Sequence, residues 1–280
     1  MILWIVGAGA LRSLVTWIVG ATTFFGYGVA VSDICVTTSD GTQHDILRKV
    51  YPVGRFLVAG FAGSVRTGFD MIADLQSCLQ MCEDEEGLCW QPTWVAENWP
   101  PRARRVFYHQ ERTERECGSE IILVGVDANT SAMRGGSPVM ATFRAPDFEP
   151  TIITVANQVI SIGSGSGQRE ALDTLSATIK NFELMHAEVG NYGGFGRLIG
   201  SYMTRALFFD PPEHISRHLH ISIVGIDRCE TVTNDMDYFP KDGDRQSLRM
   251  PAVANNYTEM CAMLGRDATE TSGVRATAVT

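Results

Sequence analysis

Several protein classes are excluded by what this chain lacks. Its seven cysteines contain no CxxC pair and are odd in number, which argues against a zinc ribbon or a secreted disulfide framework and for reduced thiols in the cytoplasm. Positive charge is scarce: 23 Lys and Arg face 32 Asp and Glu, a formal charge of −9. Such a surface repels a phosphate backbone unless basic residues are concentrated locally. The one dense basic run, Arg102, Arg104 and Arg105, is followed by Glu111, Glu114 and Glu116 and has the pattern of a solvated helix face. Nucleic acid is therefore not an expected partner.

A phosphate loop is missing too. Gly163-Ser164-Gly165-Ser166-Gly167 has no Lys-Ser/Thr pair after it and lacks dinucleotide spacing, so a tight strand-to-helix turn is the simpler assignment. His214, His218 and His220 suggest a metal, but His218 to Val224 alternates like a half-buried strand, which accounts for two of the three. No metal or cofactor is expected.

What is present is hydrophobic and patterned. Between Arg12 and Asp33 run twenty uncharged residues, long enough for a membrane helix. Thr16, Thr22, Thr23, Gly20, Gly26 and Gly28 break that run into strand-like pieces at 17–21 and 28–32 around a turn, and no A-x-A-like signal-peptidase site follows cleanly. A span is therefore disfavoured. Further strands are predicted near 47–53, 56–62, 120–127, 139–144, 159–162 and 218–226. Val65, Phe69, Ile72, Leu75 and Leu79 predict a helix over 65–81. Ala171, Leu172, Leu175, Ile179 and Phe182 predict another, and Leu198, Tyr202 and Leu207 a third. The tryptophan-rich 83–116 insert is expected to hold a loop and one helix, and residues 236–280 a loosely ordered tail. Runs of strands and helices that do not alternate singly predict an α+β layered sandwich.

A constellation with chemical meaning starts at Val15-Thr16-Trp17 and continues through Val31-Ser32-Asp33, Arg48-Lys49-Val50 and Ala59-Gly60-Phe61-Ala62-Gly63-Ser64. Asp33 precedes Lys49 by 16 residues, and Lys49 precedes Gly63 by 14. With Ile162-Gly163-Ser164-Gly165 and Glu213-x-x-Ser216, this order resembles the proteasome β-subunit and HslV-like family of N-terminal-nucleophile hydrolases. Two features depart from it: Thr16 stands 17 residues before Asp33, one more than the pattern, and glutamate replaces aspartate at 213. The resemblance covers about Thr16 to Val232. It implies a four-layer αββα sandwich with two antiparallel sheets flanked by helices, a peptide or protein substrate, a homo-oligomeric ring and an ATPase unfoldase partner. The domain would then run from 16 to 235, after an extension of residues 1–15.

The chemistry is coherent without the family. A threonine hydroxyl needs a base, and a free α-amine, with a pKa of about 7.7 to 8.0, can serve. Lys49 would disfavour protonation of that amine and stabilise charge on Oγ. Asp33 would hold Lys49, the Gly63 N–H would donate to the oxyanion, and Ser164, Glu213 and Ser216 would orient the amine. The amine must be free, so either translation begins at Val15, a GTG codon written as valine, or residues 1–15 are cleaved. Thr22 and Thr23 leave too short a first strand to replace Thr16. The competing functions are a catalytically silent scaffold that never frees Thr16, and a membrane-anchored binding protein.

Overall fold

The structure is a computed structural model that describes residues 12–13, 16–23, 26–38, 41–83, 91–128, 136–185, 199–204, 215–226, 229–239 and 243–266. The long uncharged run folds back on itself: β2 (Ile18–Thr22) and β3 (Gly28–Asp33) pair antiparallel, from Ile18 opposite Ser32 to Thr22 opposite Gly28. Gly26, at φ +81°, lies in the reversal, where a side chain would be strained. Both strands are fully buried, so the hydropathy that resembled a membrane helix is that of interior strands. Among the described residues, no helix is long and apolar enough to cross a membrane.

This hairpin is the centre of a five-stranded sheet ordered β11-β2-β3-β12-β13, with β11 (Val159–Ile162), β12 (Leu219–Val224) and β13 (Cys229–Thr233). An eight-stranded sheet comprises β1 (Arg12–Ser13), β4 (Cys35–Thr37), β5 (Gln43–Asp45), β6 (Val50–Gly54), β7 (Leu57–Ser64), β8 (Ser119–Asp127), β9 (Ser137–Arg144) and β10 (Thr151–Ile153). Its order is β10-β9-β8-β7-β1-β4-β5, with β6 also on β7. Ile18 and Ala30 of the smaller sheet meet Val58, Ile122, Val124 and Met140 of the larger in one apolar cluster. Gly20 permits that approach, since a β-carbon there would crowd Ile122 and Met140.

The other face of the larger sheet is covered by α1 (Val65–Glu83), α2 (Pro92–Asn98), α3 (Pro100–His109) and the late helix α7 (Tyr257–Met263). Ser64 caps α1, its Oγ accepting from the Thr67 N–H at 3.1 Å. Leu75 and Leu79 of the predicted stripe are buried beneath it. On the smaller sheet, Leu175 and Ile179 of α5 (Arg169–Met185) and Ile199 and Met203 of the helical residues 199–204, α6, cover Trp17, Val19, Val31 and Ile221.

The expected αββα sandwich needs correction. The described chain is a mixed α/β, strand-dominated arrangement of antiparallel sheets with eight, five and two strands, the third being β14 (Met236–Tyr238) with β15 (Gln246–Leu248). Two sheets flanked evenly by helices do not describe it. Two of the unforeseen strands, β5 (Gln43-His44-Asp45) and β14 (Met236-Asp237-Tyr238), are only three residues long, too short to establish a period. The 83–116 insert also holds more helix than expected, with α4 (Arg112–Glu116) following α2 and α3. The loosely ordered tail is likewise corrected over its described part. Leu47 bridges Ala254, and Met260 and Cys261 of α7 are buried in the main core.

Candidate functional site

Asp33 ends β3, and its carboxylate turns inward. Oδ1 accepts from the Lys49 ammonium at 2.9 Å and from the Trp17 N–H at 2.8 Å, while Oδ2 accepts from the Cys35 N–H at 2.9 Å. Both charged side chains are completely buried. A buried ion pair persists only where further hydrogen bonds satisfy it, and two backbone amides do so here. One carboxylate oxygen therefore ties the lysine to the amide that follows Thr16. In return, the Asp33 N–H donates to the Trp17 carbonyl at 3.1 Å.

Thr16 is held from its other side by the glycine-rich turn, a short 3-10 helix at Ser164–Gly167. The Thr16 N–H donates to Ser164 Oγ at 3.1 Å, and the Gly165 N–H donates to the Thr16 carbonyl at 3.1 Å. Gly163, at φ +82°, has no room for a β-carbon, which would collide with the Thr16 carbonyl. Its N–H donates to Glu120 Oε2 at 2.8 Å, and Glu120 is paired with Arg144 at 2.6 Å. Amides that a phosphate would need are thus already donated to protein oxygens, in keeping with a turn and not a phosphate loop. Glu120 was not foreseen: it is a single acid at the start of an apolar strand, 43 residues from the glycine it holds.

Gly63 lies near the end of β7 at φ +100°, where a β-carbon would stand 2.5 Å from the Gly118 carbonyl. That same carbonyl accepts the Ser64 N–H at 3.0 Å. Behind it, Ser64 Oγ donates to Glu114 Oε2 at 2.5 Å. Burial pushes the Glu114 carboxyl above its ordinary range, against the lowering effect of the Ser64 hydrogen bond. The Glu114 contact, too, was invisible in the sequence.

Between β7 and β4 lies β1, from the residues that precede Thr16. Arg12 pairs with Thr37 on one side and with Ser64 on the other, and Ser13 pairs with Gly63. A two-residue strand of the chain thus occupies a backbone slot immediately before Thr16.

The remaining expected site residues divide. Ser216 is buried, but its hydroxyl donates to Asp45 Oδ2 at 2.7 Å and accepts from the His218 N–H at 3.0 Å. Its observed partners are therefore Asp45 and His218. Glu213 lies outside the described residues. His214 is also outside them, and among the described residues no group of three metal-ligating side chains occurs. His220 is buried, its Nδ1 has no partner among the described residues, and burial, aided by Arg48, lowers its pKa to about 4. Thiols beside the sheets are poor rival nucleophiles, since burial pushes Cys35 and Cys229 up to about 11.

Asp33 thus contacts Lys49 and the Trp17 amide that follows Thr16, Ser164 contacts the Thr16 N–H, and Gly63 lies opposite Ser13, three residues before Thr16. No protein-family model matches the chain, and no curated protein matches it.

Proposed function

We propose that the protein is an amide-bond hydrolase of the N-terminal-nucleophile type, with Thr16 as nucleophile once residues 1–15 are released. The observation that carries this is the shared Asp33 oxygen, which fixes a buried lysine ammonium beside the backbone of Thr16. A second support is the slot filled by β1. A peptide adding there as an antiparallel strand would bring its backbone past Gly63 on the way to Thr16.

With the bond between Val15 and Thr16 broken, the Thr16 nitrogen is a primary amine already hydrogen-bonded at Ser164. The amine takes the hydroxyl proton as Oγ attacks the substrate carbonyl, and Lys49 stabilises the developing alkoxide. The Gly63 N–H receives the oxyanion, a donor of a kind worth about 3 to 4 kcal/mol. Collapse passes the proton to the leaving amine and leaves an ester on Thr16, which water then hydrolyses, restoring hydroxyl and amine. Ring assembly and an ATPase partner belong to the same proposal.

A silent scaffold is the second reading, favoured by the position of β1: while residues 12–13 stay paired, the slot is filled and the Thr16 nitrogen is an amide. Intact-mass analysis of protein from its native host, followed by assay with fluorogenic peptides, separates the two. The hydrolase reading expects a chain beginning at Thr16 whose activity disappears in Thr16→Ala. Retention of residues 12–15 in an inactive protein supports the scaffold.

A further inference from the structure

We propose that a cavity beside α4 binds a small organic anion, a carboxylate or phosphate group carried on an apolar ring or chain. It is an open, solvent-facing cleft of about 440 Å³, with room for a small molecule. Phe107, Ala145 and Pro146 contribute an apolar wall, and Arg112 and Arg115 project from one face of α4. Gly118 completes the lining, and its α-carbon faces open space, for nothing lies within 4 Å of where a β-carbon would be.

The electrostatics are unbalanced toward an incoming anion. Among the described residues, Arg115 Nε is buried and has no hydrogen-bond partner, a costly state for a guanidinium N–H. Its guanidinium carbon lies 5.9 Å from the centre of the Tyr108 ring, which holds the group in place without satisfying the N–H. Arg112 donates to Glu116 at 2.8 Å, but their side chains are 85% and 55% exposed. Such a pair is weak, so a ligand anion can displace Glu116. A planar oxyanion matches the guanidinium fork, and the Phe107 side favours an apolar body attached to it.

This goes beyond the hydrolase reading, because binding here needs neither the Thr16 amine nor cleavage of the chain. The cavity nevertheless adjoins Gly118, whose carbonyl accepts the Ser64 N–H behind Gly63.

The test is calorimetric titration of the full-length protein with benzoate, phenyl phosphate and uncharged benzamide. Binding of either anion at least about tenfold tighter than benzamide is expected, the loss of a charge-assisted hydrogen bond; the tighter anion identifies the head group. Arg115→Gln is expected to weaken that binding by at least about tenfold and Arg115→Lys by less. Equal affinity for benzamide, no binding of either anion, or unchanged affinity in Arg115→Gln overturns the proposal. Should Arg115→Gln not fold, the comparison of anion with amide on the unaltered protein decides alone.

Discussion

Among the described residues two carboxylates are buried, Asp33 and Glu114, and their surroundings differ in kind. Asp33 meets an ammonium and two backbone N–H groups. Glu114 meets the Ser64 hydroxyl, and desolvation drives its carboxyl upward. The first arrangement fixes a charge beside Thr16; the second makes an acid that retains its proton further into the pH scale. A buried acid is therefore a fixed electrostatic element only where donors converge on it.

The sharpest way to break this comparison is Lys49→Met, which keeps apolar volume but strands the Asp33 charge. It should cost about 3–5 kcal/mol in urea denaturation. Adding Asp33→Asn should recover part of that loss, because the orphaned charge, not the missing lysine, carries most of it.

His220 extends the comparison to a buried base, where desolvation and the nearby Arg48 outweigh the attraction of Asp235. Its folded pKa of about 4 lies below its ordinary 6.5, so the unfolded chain binds more protons between those values and stability falls as pH drops through that window. The full contribution is about 3 kcal/mol. Thermal denaturation across that range should show a shallower loss for His220→Gln.

Gly163→Ala should cost about 1–3 kcal/mol, from a strained φ and a clash with the Thr16 carbonyl. The smallest effect belongs to Glu114→Gln. A raised carboxyl pKa contributes stability below the unfolded value that is lost as pH rises toward the folded one. The substitution should flatten that part of the pH profile in the same thermal assay, leaving the acid-side loss from His220 in place.

The buried hairpin at 18–33, helix α1 and the Asp33–Lys49 spacing were legible because a run of apolar residues or a fixed interval records them directly. The contacts of Glu120 and Glu114 were not, since each reaches across 43 or 50 residues to a single backbone or hydroxyl group. The contact of Ser216 with Asp45 was hidden for a similar reason: β5 brings Asp45 to it from 171 residues away through a strand with no apolar pattern. The sandwich expectation failed on strands too short to leave a periodic signal, and the tail on α7, whose seven residues are too few to show a stripe.

The most direct test of the Thr16 site is peptide mapping after treatment with an electrophile that bridges a hydroxyl and an α-amine on one residue. The account predicts a single adduct on Thr16 at the start of the mature chain, absent from Lys49→Met even when that variant is processed and folded. A processed chain with a free Thr16 amine that takes no label, or takes it equally without Lys49, would contradict it.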